Sequence, residues 1–108
     1  MVDTVLVLGQ SIPTANVLTA LYTAPTATVA SSISACNQDS SNWANFSWSI
    51  AVGGASDDPK QYKVYLSPIS PNNVYEANIG ITLATGDVIR VLSTTGNVSF
   101  TLLGVQIT

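Results

Sequence analysis

In the last third of the chain, GITLATGDVIRVLSTTGNVSFTLLGVQIT, Val98, Phe100 and Leu102 alternate one for one with Ser99 and Thr101. A period of two belongs to a β-strand with one buried face, because successive side chains of a strand point to opposite sides. The runs 87–93 and 98–107 flank Thr94-Thr95-Gly96-Asn97, which predicts an antiparallel hairpin closed by a type I turn and a left-handed glycine. Beyond Leu102 the apolar positions become Val105 and Ile107. The spacing therefore predicts a bulge at Leu103-Gly104, where one extra residue would swap the faces.

The same period recurs along the chain. In 1–8 (MVDTVLVL), Val5 and Val7 fall on one face and Leu6 and Leu8 on the other; an apolar residue on both faces suits a strand covered on both sides. Residues 1–13 are thus expected to form an edge strand or an arm laid on another subunit. Pro13 breaks the run and Val17 to Thr23 forms a second strand. Thr28 to Asn37 forms a third, light in large residues, so its bulk must come from the element opposite. In 45–53, Phe46, Trp48, Ile50 and Val52 alternate with Ser47, Ser49 and Ala51, the pattern of a central core strand. GGASDDPK (53–60) is a loop. Gln61 to Leu66 is expected to turn Tyr62, Val64 and Leu66 inward and Lys63 and Tyr65 outward. Two prolines make SPISPNN (67–73) an extended connection outside any ladder. Val74 to Ile79 is a further strand, and 81–85 has room for one helical turn.

About eight short strands with turn signals every 8–12 residues predict an all-β fold. The expected form is a single antiparallel β-sandwich domain, Ig-like or jelly-roll, spanning 1–108. The outside of such a domain would be sparsely charged. Charged residues make up 8% of the sequence, against a usual value of about 25%, and Ser, Thr and Asn take their place. Weak self-repulsion of this kind suits a subunit packed among copies of itself.

Chemistry is scarce in this sequence. It contains no histidine, which removes Ser-His and Cys-His catalysis and the common zinc and copper ligands; no enzyme activity, cofactor or metal is expected. The single cysteine, Cys36, is expected to be a small buried hydrophobe. Lys60, Lys63 and Arg90, the only basic residues in a chain of net charge −3, make no nucleic-acid-binding patch. No apolar run approaches the length of a membrane span, and Met1-Val2-Asp3 lacks the basic start of a secretory leader. Asp57-Asp58 is expected to cap and turn its loop, and Asp87 to fix a turn through a backbone N–H. Glu76 and Arg90 are candidates for pairing with each other. Trp43, Tyr65 and Tyr75 are the aromatics least tied to the core, available for a subunit contact or for stacking on a sugar.

The segments NVLTALYTAP, VASSISACNQ, DDPKQYKVYLSPISPNNVYEANIGITLATGDVIRV and NVSFTLLGVQIT, in that order, resemble a group of small structural proteins of tailed bacteriophages, including those of cyanobacteria and other marine bacteria. The resemblance covers nearly the whole chain and is most specific from Pro71-Asn72-Asn73 to Gly86-Asp87-Val88-Ile89. Those are turn and strand-start residues, which locate no active site. The resemblance implies a non-enzymatic β-sandwich subunit of the virion that acts as an oligomer. The expected role is a capsid decoration or cement subunit, with itself (a trimer favoured) and the major capsid protein or another virion protein as partners. The alternative is a fibre, neck or baseplate component that recognises host glycan through Trp43 and loop tyrosines. Val5, Val7, Trp43, Tyr65, Tyr75, Val105 and Ile107 are the candidate interface residues.

Overall fold

A computed structural model describes residues 3–107. Eight strands form in chain order: β1 (Asp3–Ser11), β2 (Thr19–Thr23), β3 (Thr28–Asn37), β4 (Ala44–Ala51), β5 (Tyr62–Ile69), β6 (Val74–Leu83), β7 (Val88–Ser93) and β8 (Val98–Ile107). They make two four-stranded antiparallel sheets of order β1-β8-β3-β6 and β2-β7-β4-β5. Every connection crosses between the sheets except β4 to β5, and this order is that of a jelly roll. Met1, Val2 and Thr108 lie outside the described residues, so the expected strands at the two ends are met from Asp3 and as far as Ile107.

The expected β7–β8 hairpin does not form. β7 pairs with β2 and β4, whereas β8 pairs with β1 and β3, so the 94–97 loop is a corner between sheets. Both strands carry one apolar face and are joined by turn residues, and a sheet-switching corner asks for the same sequence as a hairpin. Gly96 is accordingly not in the left-handed region.

The bulge expected at Leu103-Gly104 lies on the neighbouring strands instead. Opposite Leu102 to Gly104, β1 carries one extra residue at Leu8 and β3 one at Ser31. β8 keeps its alternation, with Val98, Phe100, Leu102 and Gly104 all buried. A Cβ on Gly104 would lie 2.3 Å from the Val29 carbonyl oxygen and 2.8 Å from Leu8 Cδ1; glycine is there for close approach, not to reverse the strand.

The core joins Phe46 and Trp48 of β4 to Phe100 and Leu102 of β8, Ile33 of β3 and Ile89 and Val91 of β7. Phe46 packs in tilted contact with Tyr75 at 4.8 Å and Phe100 at 6.3 Å between ring centroids, supplying the bulk that Ala30 and Ala35 of β3 lack. Val52, expected on the core face, is 73% exposed because β4 ends at Ala51 in a 3₁₀ turn. Ser47, Ser49 and Ala51 on the other face are also buried. Ser49 stands between Tyr62 and Arg90 in the ladder, and Arg90 donates to the carbonyls of Ala55 (2.8 Å) and Gly54 (3.3 Å). That contact brings the 52–61 loop against the sheet.

β5 is the edge of its sheet and carries two irregularities opposite β4. Leu66 has φ 49° and is exposed, with its N–H donating to Ser47 Oγ at 2.8 Å. Of the three side chains expected inward, Val64 packs on the core, while Tyr62 lies half-buried on the outer face beside Ser49. Pro68 belongs to the strand after all, opposite Asn45; a proline is tolerated on an edge. β6 runs through to Leu83, bulging near Gly80 (φ 55°), where a helical turn had room. Cys36 is half-buried on the outer face of its sheet, not in the core.

Candidate functional surfaces

Two surfaces stand out, on opposite outer faces of the sandwich. The first is an apolar strip at one end of the β1-β8-β3-β6 sheet. β1 is the edge of that sheet, paired with β8 from Asp3↔Ile107 to Ser11↔Phe100. Alternation turns Leu6 and Leu8 toward the other sheet and leaves Val5 81% and Val7 51% exposed. Val5 stands opposite Val105, which stands opposite Val29 on β3, and Val7 stands opposite Leu103, itself 40% exposed. Ile107 closes the row beside Asp3. Of the expected interface residues, then, Val5, Val7, Val105 and Ile107 are brought together. Val29 and Leu103 join them, and neither was legible in the sequence as an interface residue.

The sequence left β1 as either an arm or an edge strand, and the pairing makes it an edge strand. The C-terminal strand, by contrast, offers no free edge: β8 is held between β1 and β3, and Ile107 is further fixed by its N–H to Ala27 O (2.9 Å) and by Thr26 Oγ1 donating to its carbonyl (2.7 Å).

The second surface is an open groove of about 580 Å³ lined by Asp57, Pro59, Tyr62 and Tyr65. The two phenol rings meet edge to face, with centroids 5.1 Å apart and planes at 84°, and Tyr65 is 68% exposed. Burial, and then the Asp57 carboxylate beside it, push the Tyr62 phenol up to about 12. Asp58 caps the following turn by accepting from Lys60 N at 3.1 Å. Asp57 and Asp58 thus divide their labour, one facing the groove and the other holding the loop.

The remaining aromatics lie elsewhere. Trp43 is 63% exposed just before β4, some five residues from the strand position beside Tyr65, roughly 15 Å at the strand rise. It adjoins a turn organised by Asp39, whose carboxylate accepts from Ser41 N (2.9 Å), Asn42 N (3.1 Å) and the side chains of Asn42 and Asn97 (both 3.2 Å). The bonds from Ser41 and Asn42, led by the one from the Ser41 backbone, hold the Asp39 carboxyl down at about 2. Tyr75 is half-buried with its ring against Phe46, packed on the core. Glu76 and Arg90 lie on different sheets and face away from each other; Arg90 spends its donors on loop carbonyls.

Among the described residues no three His, Cys, Asp or Glu side chains come together as a metal site. No protein family, curated protein or solved structure matches this chain.

Proposed function

We propose that this chain is a structural subunit of a tailed-phage virion, of the capsid decoration or cement kind. In this role it ties neighbouring shell components together by burying the strip of Val5, Val7, Leu103, Val105 and Ile107. The observation that carries the reading is Val5: a valine 81% exposed at the centre of an apolar row on an edge strand. Contiguous apolar surface of this kind marks an interaction site, and the edge of β1 adds unpaired backbone groups suited to strand addition. The jelly-roll strand order supports it, since viral shell proteins use that architecture, although fold alone names no function. So does the sparse charge, which opposes close packing of copies very little.

The mechanism is additive. A standard interface removes about 800 Å² from each partner, a modest part of the 5549 Å² surface of the chain. Repetition over many shell sites turns modest contacts into strong retention.

The test is light scattering on the purified chain. A closed oligomer is expected, with a trimer at three times the 11.2 kDa chain mass favoured. Val5→Asp/Val7→Asp should return it to monomer with an unchanged fold and abolish binding to shells lacking the protein. An oligomer and shell binding both indifferent to that double change would overturn the reading.

A further inference from the structure

The groove on the outer face of β5 points to a second capacity. We infer that Asp57, Tyr62 and Tyr65 form a carbohydrate subsite, one that takes the ring of a neutral pyranose. The site does not depend on the assembly role and lies on the sheet opposite the apolar strip, so both surfaces are available at once.

Three observations favour a sugar. The edge-to-face tyrosines set two rings nearly at right angles at the groove, and Tyr65 is 68% exposed there. An exposed aromatic ring of this kind accepts the flat C–H side of a pyranose, and a phenolic hydroxyl can both donate to and accept from a sugar hydroxyl. Asp57 supplies an acceptor-only carboxylate at the same groove, the group that vicinal sugar hydroxyls can donate to. The third is the charge around it. Arg90 stands across Ser49 from Tyr62 in the ladder, and its charge acts on the Tyr62 ring. An aromatic pair beside a carboxylate would otherwise also suit a quaternary ammonium ion, and the Arg90 guanidinium opposes one.

The groove is also preorganised. The loop that forms its rim is exposed from 52 to 60, yet it is tied at five points. Gly53 N donates to Asp87 Oδ1 (2.8 Å), Arg90 donates to the carbonyls of Gly54 and Ala55, Gln61 Nε2 donates to Ser56 O (2.9 Å) and Lys60 N donates to Asp58 Oδ1. A loop fixed before the ligand arrives spares the ordering cost that usually weakens shallow sites.

The test is a titration of the ¹⁵N-labelled chain followed by amide chemical shifts. The probes are neutral oligosaccharides of glucose, galactose, mannose and N-acetylglucosamine, with choline as the cationic comparison. At least one saccharide is expected to shift amides of 57–65 with a Kd on the order of 1 mM. Tyr65→Ala should weaken it about tenfold or more, with the rest of the spectrum unmoved, and Asp57→Asn should weaken it too. Oligomer mass and shell binding should be unaffected by either change, which separates this site from the assembly surface. No shift with any saccharide, shifts that survive Tyr65→Ala, or a response to choline alone would overturn the inference.

Discussion

The Asp87 carboxylate joins two loops: Oδ1 accepts from Gly53 N at 2.8 Å and Oδ2 from Ala84 N at 2.9 Å. The side chain is 8% exposed. It closes its own turn and also anchors the far loop that rims the tyrosine groove. Asp87→Ala leaves both N–H groups without their acceptor, and about 2–3 kcal/mol of stability should be lost. Urea unfolding reads this directly. An unchanged midpoint would show that the anchor is dispensable.

Gly104 and Gly96 should respond oppositely to the same substitution. A Cβ at Gly104 meets backbone atoms of Val29 and Ala30 at 2.3 and 3.0 Å, which cannot yield as a flexible side chain would. Gly104→Ala is expected to cost about 3 kcal/mol or to prevent folding. Gly96 has open space around it and no left-handed φ, so Gly96→Ala should be neutral or stabilising by up to about 1 kcal/mol. Equal melting shifts in the two variants would refute the close-approach account.

Two buried serines of β4 make a matched pair. Ser47 Oγ accepts from Leu66 N at 2.8 Å, whereas Ser49 Oγ has no partner among protein atoms. Ser47→Ala therefore removes an acceptor from a backbone N–H and should destabilise by about 1–2 kcal/mol. Ser49→Ala removes an unpaired hydroxyl from the interior and should be neutral or slightly stabilising. Thermal melts of both variants decide it, and a larger loss at Ser49 would reveal a bond there.

Acid should loosen the turn beside Trp43. The Asp39 carboxyl is held at about 2 against an ordinary 3.8, so its folded value is depressed. The unfolded chain binds this proton first as pH falls. The contribution of Asp39 is full above the ordinary value and is lost as pH drops from about 4 through about 2. Trp43 fluorescence should change over that window and cease to do so in Asp39→Asn. A transition that persists in Asp39→Asn would assign it to another group.

Strand positions were legible because their cause is local. Thr28–Asn37 is bounded by residues that leave the ladder, and the alternation through Phe46 and Trp48 has one physical solution. The edge-to-face groove was only half legible: Tyr65 reads as exposed, but Tyr62 reads as inward. The irregularities in β5 that carry Tyr62 to the outer face leave no mark in apolar spacing. Val29 and Leu103 likewise become surface neighbours of Val5 and Val7 only through the register.

By itself, the sequence determined that this chain is an all-β sandwich with little charge and a first strand apolar on both faces, because period-two alternation and composition act within single strands. Only the tertiary structure decided which strands pair. Turn residues between 93 and 98 serve a hairpin or a corner equally well, and the choice is made by long-range packing of Phe46, Phe100 and Tyr75 between the sheets. Packing also decided the bulges, since an extra residue at Leu8 and at Ser31 is what lets two strands stay in register with an uninterrupted β8. The strip and the groove exist because of those pairings, which no single stretch of the chain encodes.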